Sequence, residues 1–390
     1  MTEWTRERAI EVAVAAGHVP LDLSLGVPGE PPPTWCRAPE SRAPAAYPAS
    51  RGTLTLRVAA AGYLERRFGI TVDADAVAAS AGAKEFISTA PLFLRDVLAP
   101  TTRDTVLIPA LGYPAYEVGA RLAGLRAHRI PADEDFRMRL DRLPDAVAAR
   151  ALCVWVNSPA NPSGVVEALG PIVRWACERG VLLLSDEAYA ETTWSGTPRT
   201  ALEHGPDGVL AVHSMSKRSN APGLRVGFYA GDPAVVAGLV TRRRAAGFMA
   251  SADAQAEAAA LLDDDAHAEA LRVVNERRLR DLVSAFAAHG LPCTVPEGGL
   301  FAWLPAPGAD GAAFARYTAE RAGLIVAAGQ QYGRAGRGHV RIAATHDVAV
   351  VVPRLRLLRT DSRRSRREVA ASGRAPDQGD AAGDRATGGG

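Results

Sequence analysis

The stretch "HSMSKRSNAPGLRVGF", residues 213–228, holds one of only two lysines in a chain of 390 residues; the other is Lys84. Lysine and arginine together number 45, so arginine supplies the remaining 43. A chain that uses arginine almost wherever it needs positive charge has kept a lysine at 217. A guanidinium stays protonated, whereas an amine in a suitable setting loses its proton and condenses with a carbonyl. A surface lysine needs no explanation in a lysine-rich protein, and usage alone does not establish catalysis. The neighbouring motifs have to agree.

Outward from Lys217, the middle of the chain alternates short apolar runs with amphipathic stretches. "TVLIPALGYP" (105–114), "ALCVWVNSP" (151–159), "VLLLSDEAY" (181–189), "GVLAVHSMSK" (208–217) and "LRVGFYAGD" (224–232) read as buried strands. "EVGARLAGL" (117–125) and "PIVRWACERG" (171–180) read as helices, the second capped by Gly180. Near-continuous apolar strands separated by helices indicate an α/β fold with a mostly parallel sheet covered on both faces. Ligands of such sheets bind beyond the carboxyl ends of the strands. The polar groups "NSPANPSG", "DEAY" and "SMSK" fall at those ends. After about residue 250 the pattern changes. Residues 252–290 read as one long helix stopping at Gly290. "CTVPEGGLFAWLPAP" (293–307), "AGLIVAAG" (322–329) and "GHVRIAATH" (338–346) read as short strands around a helix, a small α/β unit shared with the N-terminal segment. Residues 361–390 are polar and rich in Gly, Ala and Arg, and read as a disordered tail. No internal repeat is visible.

The bulk numbers narrow the function classes. At 47% hydrophobic, 23% charged and a net charge of +2, the chain has no field that singles out nucleic acid or a membrane as partner. Cys36, Cys153, Cys177 and Cys293 form no C-x-x-C pair, so neither a zinc knuckle nor a disulfide framework is expected, and no metal. The first twenty residues carry charges among their apolar positions, unlike a signal peptide. A cytoplasmic enzyme acting on small molecules is the expectation.

The strand-end residues make a constellation: Asn161 in "NPSG", Asp186 and Tyr189 in "SDEAY", Ser214 and Lys217 in "SMSK", Arg225 in "GLRVG". Each alone is ordinary; N-P-x-G is a common turn, an Asp at a strand end caps helices, and Arg225 could be half of an ion pair. Their order and spacing suit pyridoxal 5′-phosphate. Its aldehyde needs an amine, Lys217. Its pyridine nitrogen needs a buried carboxylate to stay protonated, Asp186. Its ring oxygen takes hydrogen bonds from Asn161 and Tyr189. Its phosphate takes Arg225, Ser214 and the first amides of a helix opening in "SAGAKEFI" (80–87), at Ala83 and Lys84. Tyr113 in "GYPAY" is available as a plate over the ring. Lys84 is the rival amine, but it follows the phosphate turn.

Other readings of the same letters fail. Ser214-x-x-Lys217 also spells the S-x-x-K of β-lactamases, which needs S-D-N and K-T-G further on; neither occurs. "GRAGRG" (333–338) has the wrong order for a dinucleotide fingerprint.

Together these residues resemble the fold-type I pyridoxal-phosphate enzymes, specifically the class I/II aminotransferases, over about residues 20 to 357. "SMSKRSNAPGLRVGF" matches their Ser-x-Ser-Lys-x5-Gly-x-Arg-x-Gly pattern without a gap. The resemblance implies a large domain with a mostly parallel seven-stranded sheet flanked by helices, over 46–270. It implies a small α/β domain at 271–360, and an arm with part of the small domain at 1–45. It implies a homodimer in which Tyr47 reaches the phosphate of the neighbouring subunit. It also implies that Arg341 clamps the substrate α-carboxylate and that Gly26 lies beside the substrate. Lys217 would act as general acid and base, with Asp186 and Tyr189 supporting it. The chain is most similar to actinobacterial N-succinyldiaminopimelate aminotransferases of lysine biosynthesis, which implies glutamate as donor and N-succinyl-2-amino-6-ketopimelate as acceptor. Two departures, "SDEAY" against that group's "SDECY" and no proline in "GFMASADAQ", leave open a paralogue serving another keto acid in specialised metabolism. A C–S lyase or an acyl-CoA condensing enzyme of the same fold also stays open. A ligand-sensing domain is the remaining alternative, but only about twenty residues precede "LDLSLGVP", too few for the winged helix such regulators carry.

Overall fold

In the computed structural model, residues 4–26, 29–30 and 47–358 are described. The expected tail at 361–390 and much of the expected arm at 1–45 lie outside them. Among the described residues twelve strands run in chain order: β1 (Leu21–Asp22), β2 (Val77–Ser80), β3 (Thr105–Pro109), β4 (Arg126–Ile130), β5 (Ala151–Asn157), β6 (Leu182–Asp186), β7 (Val209–Ser214), β8 (Gly227–Gly231), β9 (Phe301–Pro305), β10 (Leu324–Ile325), β11 (Ala327–Ala328) and β12 (His339–Ala343).

Seven of them form one sheet in the order β2-β8-β7-β6-β5-β3-β4. Pairs β3–β4, β3–β5, β5–β6 and β6–β7 are parallel, and β8 runs antiparallel to both its neighbours. The apolar runs are continuous because both faces are covered. Val154, Val156, Leu183 and Phe228 enter one core, while Cys153, Trp155, Leu182 and Tyr229 enter the other. The helix Ala83–Val97 packs on the second face through Phe86, Ile87 and Leu94. Fully burying such a side chain contributes roughly 1.5–3 kcal/mol. The sheet therefore gives the loops at its carboxyl edge a rigid base.

The remaining strands build the small unit. β11, β12 and β9 make an antiparallel sheet in which Arg341 faces Trp303 across the ladder. β1 pairs in parallel with β10, Leu21 opposite Leu324 and Asp22 opposite Ile325. That ladder ties the N-terminal segment to the C-terminal part of the chain.

Two local expectations are corrected. The helix read over 252–290 is two helices, Ala252–Asp263 and Asp265–Ala288. They break at Asp264 (φ −95°, ψ 82°), whose carboxylate accepts from the His267 amide at 2.8 Å. Within "LLDDDAH", Asp competes for the backbone and starts a new helix instead of continuing the old one. The strand read over 293–307 is confined to β9. Its first part instead lies on the loop after β5, where the Glu297 carboxylate accepts from the Val166 amide at 2.8 Å and from Arg137 at 2.5 Å.

Candidate active site

Lys217 stands in the single helical turn Met215–Arg218 at the carboxyl end of β7. Ser214 caps that turn, accepting from the Ser216 amide at 3.2 Å. The Lys217 amine donates to the Gly26 carbonyl at 2.5 Å and lies 5.8 Å from the centre of the Tyr189 ring. Burial, then the charges of Arg341 and Arg225, lower its pKa from 10.5 to about 8, with Asp186 opposing. An amine whose pKa lies within about a unit of physiological pH keeps a reactive neutral fraction, which is what carbonyl chemistry needs.

Asp186 ends β6 and is buried. It accepts from the Tyr116 hydroxyl at 2.7 Å and from the Ala188 amide at 3.2 Å. Burial raises its pKa from 3.8 to about 6, against the pull of the Tyr116 hydrogen bond. Among the described residues no cationic side chain forms an ion pair with it. Tyr116 itself is stacked on Trp155 with ring centres 5.1 Å apart and lies edge-on to Tyr113. Burial, reinforced by the Asp186 charge and opposed by Arg341, raises the Tyr113 pKa to about 12.

Arg341, only 6% exposed, reaches back from β12. It donates to the Asn161 side-chain oxygen at 2.7 Å and to the Ser24 carbonyl. Its guanidinium lies over Phe301 and Tyr332, 5.0 and 5.1 Å from the ring centres. Its Nε is buried with no hydrogen-bond partner among the described residues. Asn161 is set by Asn157, whose side chain accepts from the Asn161 amide at 2.7 Å and donates to the Asp186 carbonyl at 2.8 Å. Gly26 closes the ring of groups. A Cβ there would stand 3.3 Å from the Tyr189 hydroxyl and 3.9 Å from Arg341 Nη1.

The anion end is built by Arg225, Gly82 and the helix Ala83–Val97. Arg225 adopts the left-handed conformation (φ 53°, ψ 47°), sparsely populated for a non-glycine residue and characteristic of functional loops. Its guanidinium donates to the Pro222 carbonyl at 3.0 Å and the Ala81 carbonyl at 3.4 Å, and meets no carboxylate among the described residues. Gly82 (φ 91°) leaves it room, since a Cβ there would lie 2.6 Å from Arg225 Nη2. The first amides of the helix, at Ala83 and Lys84, have no acceptor within it. Ser80 Oγ, close by, is buried and unpartnered among the described residues.

The residues present fit pyridoxal phosphate. A buried carboxylate without a cation suits a protonated ring nitrogen, and a guanidinium without a carboxylate beside a helix N-terminus suits a phosphate. Gly82→Ala should therefore weaken pyridoxal-phosphate binding about ten-fold, the loss expected for one charge-assisted hydrogen bond. A fluorescence titration reads this, and an unchanged Kd would place the phosphate elsewhere.

Of the residues singled out in the sequence, Gly26, Tyr113, Asn161, Asp186, Tyr189, Ser214, Lys217, Arg225 and Arg341 converge here with the Ala83 turn. Two side chains stand apart. That of Lys84, whose amide belongs to the anion end, is exposed, its amine 6.0 Å from the centre of the Tyr113 ring. Tyr47 is 91% exposed and is not brought to this site by its own chain. Tyr116, Asn157, Ser24 and Tyr332 were not foreseen. Tyr116 carried a usable signal, three residues after Tyr113 in the turn that opens the helix Ala115–Leu122, where its amide donates to the Tyr113 carbonyl at 3.2 Å.

The family model for aminotransferase class I and II matches residues 21–352. The chain is 40% identical over 336 residues to the 4-dedimethylamino-4-oxo-anhydrotetracycline transaminase OxyQ of Streptomyces rimosus, covering 83% of this chain and 89% of that one. It is 38% identical to the probable aminotransferase Rv1178 of Mycobacterium tuberculosis, covering 88% and 82%. Its fold superposes with a TM-score of 0.79 on a probable N-succinyldiaminopimelate aminotransferase from Thermus thermophilus, at 25% identity and 93% and 98% coverage.

Proposed function

This chain belongs to aminotransferase class I and II, a pyridoxal-phosphate-dependent enzyme family, and from that premise we propose that it passes an amino group from glutamate to N-succinyl-2-amino-6-ketopimelate. The observation that carries the α-amino-acid half of this reading is the Arg341–Asn161 pair. It sets a buried guanidinium, suited to a carboxylate, near Gly26, whose carbonyl accepts from the Lys217 amine.

When bound, the cofactor supplies an aldehyde to take the amino group and a protonated ring that withdraws electrons from the α-carbon. The protein's residues divide the remaining work. Arg225, Ser214 and the Ala83 and Lys84 amides would hold its phosphate. Asp186 would keep the proton on its ring nitrogen, with Tyr116 holding the Asp186 carboxylate in place. Asn161 and Tyr189 would serve its ring oxygen, and Tyr113 would supply an aromatic face for the ring. Arg341 orients the substrate by its α-carboxylate. The Lys217 amine removes the α-proton and returns it on the other side of the transfer, one base serving both directions.

The same reading divides the chain into a large domain over 46–270, a small domain over 271–360 and an arm over 1–45. It also makes the enzyme a homodimer. Leu54 and Val58, one turn apart on the helix Leu54–Phe68, are exposed apolar side chains suited to a second copy, and the exposed Tyr47 would reach the neighbouring phosphate.

The acceptor is tested by supplying N-succinyl-LL-diaminopimelate with 2-oxoglutarate and measuring glutamate formed. Turnover is the expected result. A second reading, an acceptor bearing a ring ketone, draws support from the 40% identity to OxyQ, whose name specifies a 4-oxo-anhydrotetracycline. Glutamate consumed only when such a ketone is present would favour it and overturn the first.

A further inference from the structure

We propose that Arg6, on the first turn of the helix Arg6–Ala15, anchors the second carboxylate of dicarboxylic substrates such as glutamate and 2-oxoglutarate. The inference rests on the aminotransferase reading, in which Arg341 takes the first carboxylate.

A recess of about 190 Å³ opens from Arg341. Tyr113 and Tyr332 line it, together with Trp4, Thr5 and Arg6 of the N-terminal segment. The N-terminal turn is held in place by named contacts. Gln331 donates to the Trp4 carbonyl at 3.0 Å, the Arg316 guanidinium lies 5.3 Å from the Trp4 ring centre, and Ala9 and Ala13 are buried.

The two guanidiniums are tied together by one short turn. Arg6 Nε donates to one oxygen of Asp22 at 2.5 Å. The other oxygen of Asp22 accepts from the amide and hydroxyl of Ser24, at 2.8 and 2.6 Å. The Ser24 carbonyl in turn accepts from Arg341. Arg6 and Arg341 are thereby fixed relative to each other. The terminal nitrogens of Arg6 make no hydrogen bond among the described residues, so its outer edge remains available for a carboxylate. Two cations against the single carboxylate of Asp22 leave the recess with a net positive charge. A substrate with two carboxylates balances it better than one with a single carboxylate.

The test is calorimetric titration of the cofactor-loaded enzyme with glutarate and, separately, butyrate, two unreactive probes differing by one carboxylate. Arg6→Gln should weaken glutarate about ten-fold or more and butyrate less than about two-fold, with Arg6→Lys recovering part of the glutarate affinity. Because the readout is a ratio within one protein, a general loss of fold in Arg6→Gln cannot imitate it. Equal changes for both probes, or none, would overturn the role of Arg6. Arg341→Gln should weaken both probes. If it weakens neither, the carboxylate clamp itself is misassigned and the inference falls with it, an outcome separate from failure of Arg6 alone.

Discussion

Lys217→Ala loses transamination, with kcat at least about 10⁴-fold below that of the parent enzyme, while the protein still folds. The reason lies in what surrounds the position. Among the described residues no other amine approaches the Gly26 carbonyl, and the second lysine, Lys84, is exposed beyond the Tyr113 ring. Lys217→Arg should be equally inactive although it keeps the charge, because a guanidinium neither condenses with an aldehyde nor takes the α-proton at neutral pH. Near-normal turnover in either variant would remove Lys217 from the mechanism. The lowered pKa adds a pH signature. At about 8, roughly one amine in ten is neutral at pH 7, against about one in 3000 at the ordinary 10.5. Capture of pyridoxal phosphate by the cofactor-free protein should therefore quicken as pH rises to about 8 and level off above it. The same shift costs stability. Below about pH 8 the buried amine must be charged, and the penalty is present in full. Between about 8 and 10.5 the unfolded chain binds the extra proton, so the penalty is relieved as pH rises.

Asp186→Asn lowers kcat by about 10²- to 10³-fold while leaving the cofactor bound, the scale expected for losing one preorganised charge at a reacting centre. Asn keeps the volume and can still accept from the Tyr116 hydroxyl, so the change isolates the charge from the packing. In the cofactor-free protein Asp186 is held up at about 6 by burial. A protonated ring nitrogen set against it would offset that penalty and lower the carboxylate's pKa in the loaded enzyme. Steady-state kinetics together with the visible spectrum check this. An unchanged kcat would mean that another group keeps the ring nitrogen protonated.

These two residues were legible in the sequence because their setting is local. Asp186 and Lys217 each sit just past a run of apolar residues that can only be a buried strand, and the cofactor-side chemistry of each follows from its type. Arg341 was not legible in that way. It is one of 43 arginines, and its place in the site follows from the β12–β9 register and from a contact with Asn161 across 180 positions. Neither leaves a trace in local periodicity, and only a family resemblance pointed to it. Asn157 was hidden by its neighbour: "NSPAN" offers two asparagines, and the turn motif marks the second while the first pins β5 to β6. The break at Asp264 had a visible cause in three consecutive aspartates, but the apolar period continues across them and masked it. Arg6 lay in a segment whose only sequence reading was that its charges set it apart from a signal peptide. It becomes interesting only when β1 pairs with β10 and brings the N-terminus to the recess beside Arg341.

The most direct test of the central claim is to load the purified protein with pyridoxal phosphate, reduce it with borohydride and locate the phosphopyridoxyl group by peptide mass spectrometry. Modification of the peptide at Lys217, lost in Lys217→Ala, is the predicted result. Modification at Lys84 instead, or no modification of either lysine, would contradict the assignment of Lys217 and the catalytic scheme built on it.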